Sequence, residues 1–213
     1  MSIENFERFK KEEKLREIRK KVDNLRDILG MPIDEGIKEI VVMLNAMGFN
    51  TVSSCEGHID WGSPYPWVII QAPNEPEERF VGEKGIFERV AKKYGISIEK
   101  LRSGEHLEAY REALDECVKM GETEEYKNWC KENEILLKRI NSLLEEFYRE
   151  REIDEDVKLK IRMIGPGGAF KVYSGPIDVE LVNEEEKFRL LERCRKEMNA
   201  FGEFLRKKYF SEI

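Results

Sequence analysis

"DVKLKIRMIGPGGAFKVYSG", Asp156 to Gly175, decides the fold class. Val157, Leu159, Ile161 and Met163 alternate with Lys158, Lys160 and Arg162, the period of two that sends apolar side chains to one face of a strand and cations to the other. "GPGG", Gly165 to Gly168, reads as a turn, and Ala169 to Tyr173 as the returning strand of a hairpin. A phosphate loop would need G-K-[ST] and a following helix, and neither is present. An isolated hairpin is marginal in water, so this one must join strands from elsewhere in the chain.

The partners lie early. Phe49 to Ser53 reads as one strand, and "WVIIQA", an apolar run between Pro66 and Pro73, as a second. Most of the remainder reads helical. Ser2 to Leu29 carries Ile18, Val22, Leu25 and Leu29 and stops at "GMP"; after Pro32, Asp34 caps a second helix with Ile37, Ile40, Val41 and Leu44 on one face, ended by Gly48. From Glu83 to Tyr148 there are three helical pieces: one stopped by Gly95, one around Glu105 to Met120, and one opened by Thr123 with a stripe of Trp129, Leu136, Ile140, Leu143 and Phe147. A last helix starts at Asn183, with Glu186 completing a capping pattern, and carries Phe188, Leu191, Met198, Phe201 and Leu205. The expected fold class is α+β: a small, mostly antiparallel sheet with strands near 49–53, 67–71, 157–164 and 169–174, covered by long amphipathic helices. Residues 1–213 are expected to form a single domain, with 83–150 as a helical insertion between the early and late strands.

A chain of 213 residues can bury a proper core, and 40% hydrophobic with 38% charged residues describes a globular protein with charged helix faces. The net charge of −7 argues against a general affinity for nucleic acid and leaves only a local basic face of Lys158, Lys160, Arg162 and Lys171 for such a partner. Cys55, Cys117, Cys130 and Cys194 show no C-x-x-C spacing and read as reduced thiols. No apolar run approaches the roughly 20 residues that span a bilayer, so the expected location is cytoplasmic, without a membrane partner. The stripes on the first and last helices can pair between chains, which would make the protein a homodimer or a non-catalytic scaffold; packing within one chain explains them equally well.

Function concentrates in "TVSSCEGHID", Thr51 to Asp60, where a thiol, an imidazole and two acids are crowded between two strands. Cys55 and His58 have C-x-x-H spacing, but a structural zinc takes four ligands and a catalytic one usually three; the only other histidine, His106, lies in a helical segment without a partner motif, so the sequence assigns no metal. Alternatively Cys55 is a nucleophile activated by His58, with Glu56 and Asp60 as acid, base or orienting groups. Thr51, Ser53, Ser54 and the amides around Gly57 offer donors suited to a carboxylate or phosphate, Trp61, Tyr65 and Trp67 offer flat walls, and Arg162 adds a cation. The bland reading makes Cys55 a small buried residue at a strand end and His58 the partner of a loop carbonyl. The expectation is a small polar molecule bound, and acted on, at this loop, with substrate, reaction and cofactor unassigned.

"IDEGIKEIVVMLNAMGFNTVSSCEGHI", residues 33–59, resembles a segment of the wybutosine-synthesis tRNA methyltransferase family in which a leucine-asparagine pair ending a helix leads into a strand and the signature T-T-S-S-C-S-G-R-I. Leu44, Asn45, Thr51, Ser53, Ser54, Cys55, Gly57 and Ile59 match it; Val52, Glu56 and His58 depart from it. The resemblance implies an α/β fold, S-adenosylmethionine as methyl donor and a modified guanosine of tRNA as acceptor. Histidine at position 58 replaces an arginine fork that binds phosphate or carboxylate through two bonds. "SCEGHID" followed by "PYPWV" is also similar to a motif in bacterial proteins without an assigned activity.

Overall fold

The hairpin finds its partners in the early strands. In a computed structural model of the chain, which describes residues 3–176 and 183–211, the elements run α1 (Ile3–Asn24), α2 (Glu35–Ala46), β1 (Thr51–Cys55), β2 (Trp67–Ile70), α3 (Glu83–Tyr94), α4 (Ile98–Arg102), α5 (Leu107–Met120), α6 (Glu124–Tyr148), β3 (Leu159–Ile164), β4 (Ala169–Ser174) and α7 (Glu184–Ser211). The four strands form one sheet in the order β1-β2-β4-β3, antiparallel throughout, and the fold is α+β. Val68 lies opposite Val172 and Ile70 opposite Phe170, all four buried, so the β2 and β4 pairing carries the apolar faces into one core.

The chain divides into two compact units. One comprises Met1–Ala72 and Glu134–Ile213, the other Pro73–Asn133, so the excursion leaves after β2 and the boundary falls inside α6. In the smaller unit α3, α4 and α5 close around Phe87, Val90, Leu101, Ala109 and Cys117. Gly95, at φ 64°, ends α3, and the short α4, which the sequence reading missed, is capped by the Ser97 hydroxyl.

In the larger unit α2 is the central element. The expected Ile37, Ile40, Val41 and Leu44 are buried, and so are Val42, Met43 and Ala46, because α1, α7 and β1 pack around the helix. Glu39 on α2 ties the three helices by accepting from Arg19 of α1 and from Arg206 of α7 at 3.1 Å. The stripe of α6 meets α7 through Phe147 and Phe201, whose rings lie 5.2 Å apart.

Three boundaries differ from expectation. The first helix ends at Asn24, because the Asp27 carboxylate accepts from the amides of Leu29 and Met31 at 2.8 Å each and closes a turn; Leu25 and Leu29 are exposed, while Leu15 and Val22 are buried. Ser2, the expected start, lies outside the described residues. In α7 the Asn183 cap is present, its side chain accepting from Glu186 at 3.0 Å, but Phe188 faces solvent whereas Leu191, Met198, Phe201 and Leu205 are buried. The first strand starts at Thr51 rather than Phe49, since the Phe49 amide is still bonded to Leu44 at the end of α2, and a bulge at Val52 precedes the regular pairing. That shift places Cys55 inside the strand and opens the loop at Glu56.

Phe201→Ala removes a fully buried ring and should lower unfolding free energy in urea by about 3–5 kcal/mol, whereas the exposed Phe188→Ala should change it by no more than about 0.5 kcal/mol.

Candidate functional site

Two lengths match. The 12 residues of α2 rise about 18 Å, and the strand that follows covers a similar distance in the opposite direction over five to six residues. Cys55, at the end of β1, is thereby returned beside Asp34, at the start of α2. Asp34 holds the N-cap position expected for it, yet its side chain makes no cap bond. Its Oδ2 accepts instead from the Glu56 amide at 3.1 Å and lies 3.2 Å from His58 Nε2. The Asp34 carboxylate, the Cys55 thiol and the His58 imidazole converge, with their ligand atoms all within 4.8 Å of one another. Among the described residues no other His, Cys, Asp or Glu cluster meets this geometry.

The loop is held from both sides. Glu56 Oε2 accepts from the Gly36 amide at 2.7 Å, so Glu56 supplies to α2 the bond that Asp34 withholds; a Cβ at Gly36 would stand 2.5 Å from that oxygen. Arg195 of α7 donates to the carbonyls of Glu56 at 3.0 Å and Gly57 at 2.7 Å and to Glu56 Oε1 at 3.1 Å. Gly57 has φ 86°, and an added Cβ would come within 2.8 Å of the Tyr65 backbone, so the close return of the chain there requires glycine. His58 donates its amide to the Ser63 carbonyl at 2.7 Å and stacks on Trp61, ring centroids 4.0 Å apart and 15° from parallel. The imidazole is therefore fixed in plane and position.

The Cys55 thiol is buried. Burial pushes its pKa above the ordinary thiol range, with Asp34 and Glu56 pushing the same way, while the amides of Gly57, 3.3 Å from Sγ, and Ser63 pull it down. An activated nucleophile needs the opposite balance. The surroundings keep the free thiol protonated.

The other expected residues separate into groups. Asp60, Trp61 and Tyr65 line, with His58, a cleft of about 340 Å³ that also takes in Lys187 of α7. Tyr65 is largely core, packed with Val157 and Cys194, and its buried hydroxyl has no partner among the described residues. Thr51 Oγ1 accepts from Asn45 at 2.6 Å, and Ser54 lies opposite Val68 on the buried face of the sheet, so neither faces the cluster. On the other face Cys55, Trp67, Tyr173 and Lys160 form one cross-strand row, and Ser53, Ile69, Lys171 and Arg162 the next. Lys171 sits 4.5 Å over the Trp67 ring. Lys158, expected on this face, precedes β3 and bonds to Glu155 at 3.0 Å. His106 is no ligand: its Nδ1 accepts from Ala109 at 3.3 Å and caps α5.

Sequence reading missed three residues. Asp34 was legible only as a cap, and its second role needs the length match of α2 and β1. Arg195 and Lys187 lie more than a hundred residues beyond the loop, and no local pattern marks them. The four cysteines are free thiols, and no helix among the described residues is long and apolar enough to cross a membrane. Compared with known family models, curated proteins and solved structures, the chain matches none.

Alkylation of Cys55 by iodoacetamide, followed against pH in chelator-treated protein, should show a midpoint above about 8.5, the value of a free thiol. A midpoint below it would restore the nucleophile.

Proposed function

We propose that Asp34, Cys55 and His58 hold a divalent transition metal of the zinc class and that the protein is a metal-dependent enzyme acting on a small polar molecule in the adjoining cleft. The observation that carries this is the convergence of three different ligand types from two separate segments. Tetrahedral zinc, with bonds of about 2.0–2.3 Å, has ligand-to-ligand edges of about 3.3–3.8 Å. The Asp34 to His58 separation of 3.2 Å is already near such an edge, and the remaining separations, no more than 4.8 Å, need at most about 1.5 Å of side-chain closure. Thiolate and carboxylate together match the charge of a divalent cation, and a sulfur, nitrogen and oxygen set suits zinc better than magnesium or calcium.

Three protein ligands leave a coordination position for water, whose pKa a bound zinc lowers to about 7, so the chemistry supplied is water addition, as in hydrolysis. The chain's own groups do the rest. Trp61 stacks on His58 and keeps its ring oriented. Asp60 and Lys187 line the same cleft, and in this reading Asp60 takes a proton and Lys187 holds an anionic substrate group. About 340 Å³ suits a molecule of metabolite size.

A second reading, RNA modification as the methyltransferase resemblance implies, is favoured by one observation: Lys160, Arg162 and Lys171 share the outer sheet face with Trp67 and Tyr173, the pairing of cations and stacking rings that single-stranded RNA uses. Against it stands the net charge of −7. No tight tRNA binding is expected at physiological salt, and sub-micromolar binding lost on reversing those three cations would make this reading the better one.

Zinc should raise the melting temperature of chelator-treated protein, and cobalt should give a thiolate-to-metal charge-transfer band at one equivalent. Cys55→Ser should abolish the band, and Asp34→Asn and His58→Ala should each weaken binding by about tenfold or more, a scale seen even for loss of outer-sphere partners. Absence of both effects in the folded wild-type protein would refute the metal centre.

A further inference from the structure

The other end of α2 carries a second concave site, and it is larger than the cleft at His58. It has a volume of about 550 Å³, within the range of small-molecule sites, and lies about 18 Å from the metal cluster along the helix. Among the described residues four cations line it, Lys11 of α1, Lys138 and Arg139 of α6 and Lys208 of α7, against one carboxylate, Glu146. In a chain of net charge −7 this is a local reversal of sign.

The end of α2 accounts for only one of these cations. Helix carbonyls there carry roughly half a negative charge, and Arg139 meets them: it donates to the Met47 carbonyl at 2.7 Å while its guanidinium lies 4.6 Å over the Phe49 ring. The guanidinium is thereby fixed, with N–H groups left over and no carboxylate partner among the described residues. Lys208 is held on both oxygens of Glu146, at 2.8 and 2.6 Å, and Lys11 on the Tyr209 carbonyl at 2.7 Å. Lys138 makes no ion pair among the described residues. Arg139, Lys208 and Lys11 are thus positioned by the fold before any ligand arrives, which lowers the ordering cost of binding. Beside them Ala46, Leu143 and the Tyr209 ring, all largely buried, form an apolar flank.

We propose that this cleft binds a phosphate-bearing organic molecule, its phosphate toward Lys138, Arg139, Lys11 and Lys208 and its apolar body against Ala46, Leu143 and Tyr209. A phosphate monoester carries up to two charges on three acceptor oxygens, and a guanidinium beside two or more ammonium groups fits that better than a single carboxylate. The site does not depend on the metal reading, since no residue is shared between the two ends of α2.

The probes are phenyl phosphate, inorganic phosphate and citrate, titrated calorimetrically into the intact chain. Phenyl phosphate should bind more tightly than the other two and lose affinity as salt rises. Lys138→Glu and Lys208→Gln should each weaken it roughly tenfold or more, the scale of a lost charge-assisted bond, while Lys187→Glu, in the other cleft, should leave it unchanged. Lys138 is exposed, so its replacement tests the site even if Lys208→Gln fails to fold. No binding of phenyl phosphate at millimolar concentration, equal affinity in Lys138→Glu, sensitivity to Lys187→Glu, or citrate binding as tightly would each overturn the assignment.

Discussion

Asp34 and Glu56 exchange backbone amides across 22 residues: Asp34 Oδ2 takes the amide of Glu56, and Glu56 Oε2 takes the amide of Gly36. The pattern is that of a capping box, in which two side chains satisfy each other's orphan donors, but its halves come from a helix start and a loop. Each bond to a charged group contributes roughly 1.5–3 kcal/mol. Together they fasten the loop after β1 to the start of α2, and Arg195 closes the third side with bonds to the Glu56 and Gly57 carbonyls. Everything at the site follows from that fastening. With the loop fixed, the imidazole of His58 and the thiol of Cys55 are brought to the Asp34 carboxylate.

The same lock distributes roles among the acidic residues. Glu56, read from the sequence as a catalytic candidate, spends its carboxylate on Gly36 and Arg195, and both oxygens are engaged. Asp34, read as a helix cap, makes no side-chain bond to its own helix, leaves that to Glu56, and turns to the cluster. A helix start offers orphan amides to any nearby carboxylate, and when a loop supplies one, the residue in the cap position is released for other chemistry. Lys187 and Asp60 share a cleft with His58, the one residue of the cluster that lines it.

What the sequence made legible was periodicity. The alternation from Val157 to Met163 marked the hairpin, the stripe from Trp129 to Phe147 marked α6, and Asn183 and Thr123 marked two helix starts, because these signals depend on neighbours within a few residues. The density of polar groups in Thr51 to Asp60 marked the region of the site for the same reason. Illegible were the pairings made at distance. Nothing around Arg195 distinguishes it from the other arginines of α7, and Phe188 carries the helical spacing of a core residue yet faces solvent. Leu25 and Leu29 continued the stripe of the first helix, but Asp27 captured two amides and turned the chain, a local competition that periodicity does not register.

Whether one sulfur, one imidazole and one carboxylate of this chain share a metal is read out by X-ray absorption fine structure at the zinc edge, on protein loaded with one equivalent of zinc. A shell with a single sulfur at about 2.3 Å, lighter ligands at about 2.0–2.1 Å and the outer-shell signature of one imidazole is the predicted result. In Cys55→Ser the sulfur scatterer should vanish. A shell of oxygen and nitrogen alone in the wild-type protein, or a sulfur that persists in Cys55→Ser, would contradict it.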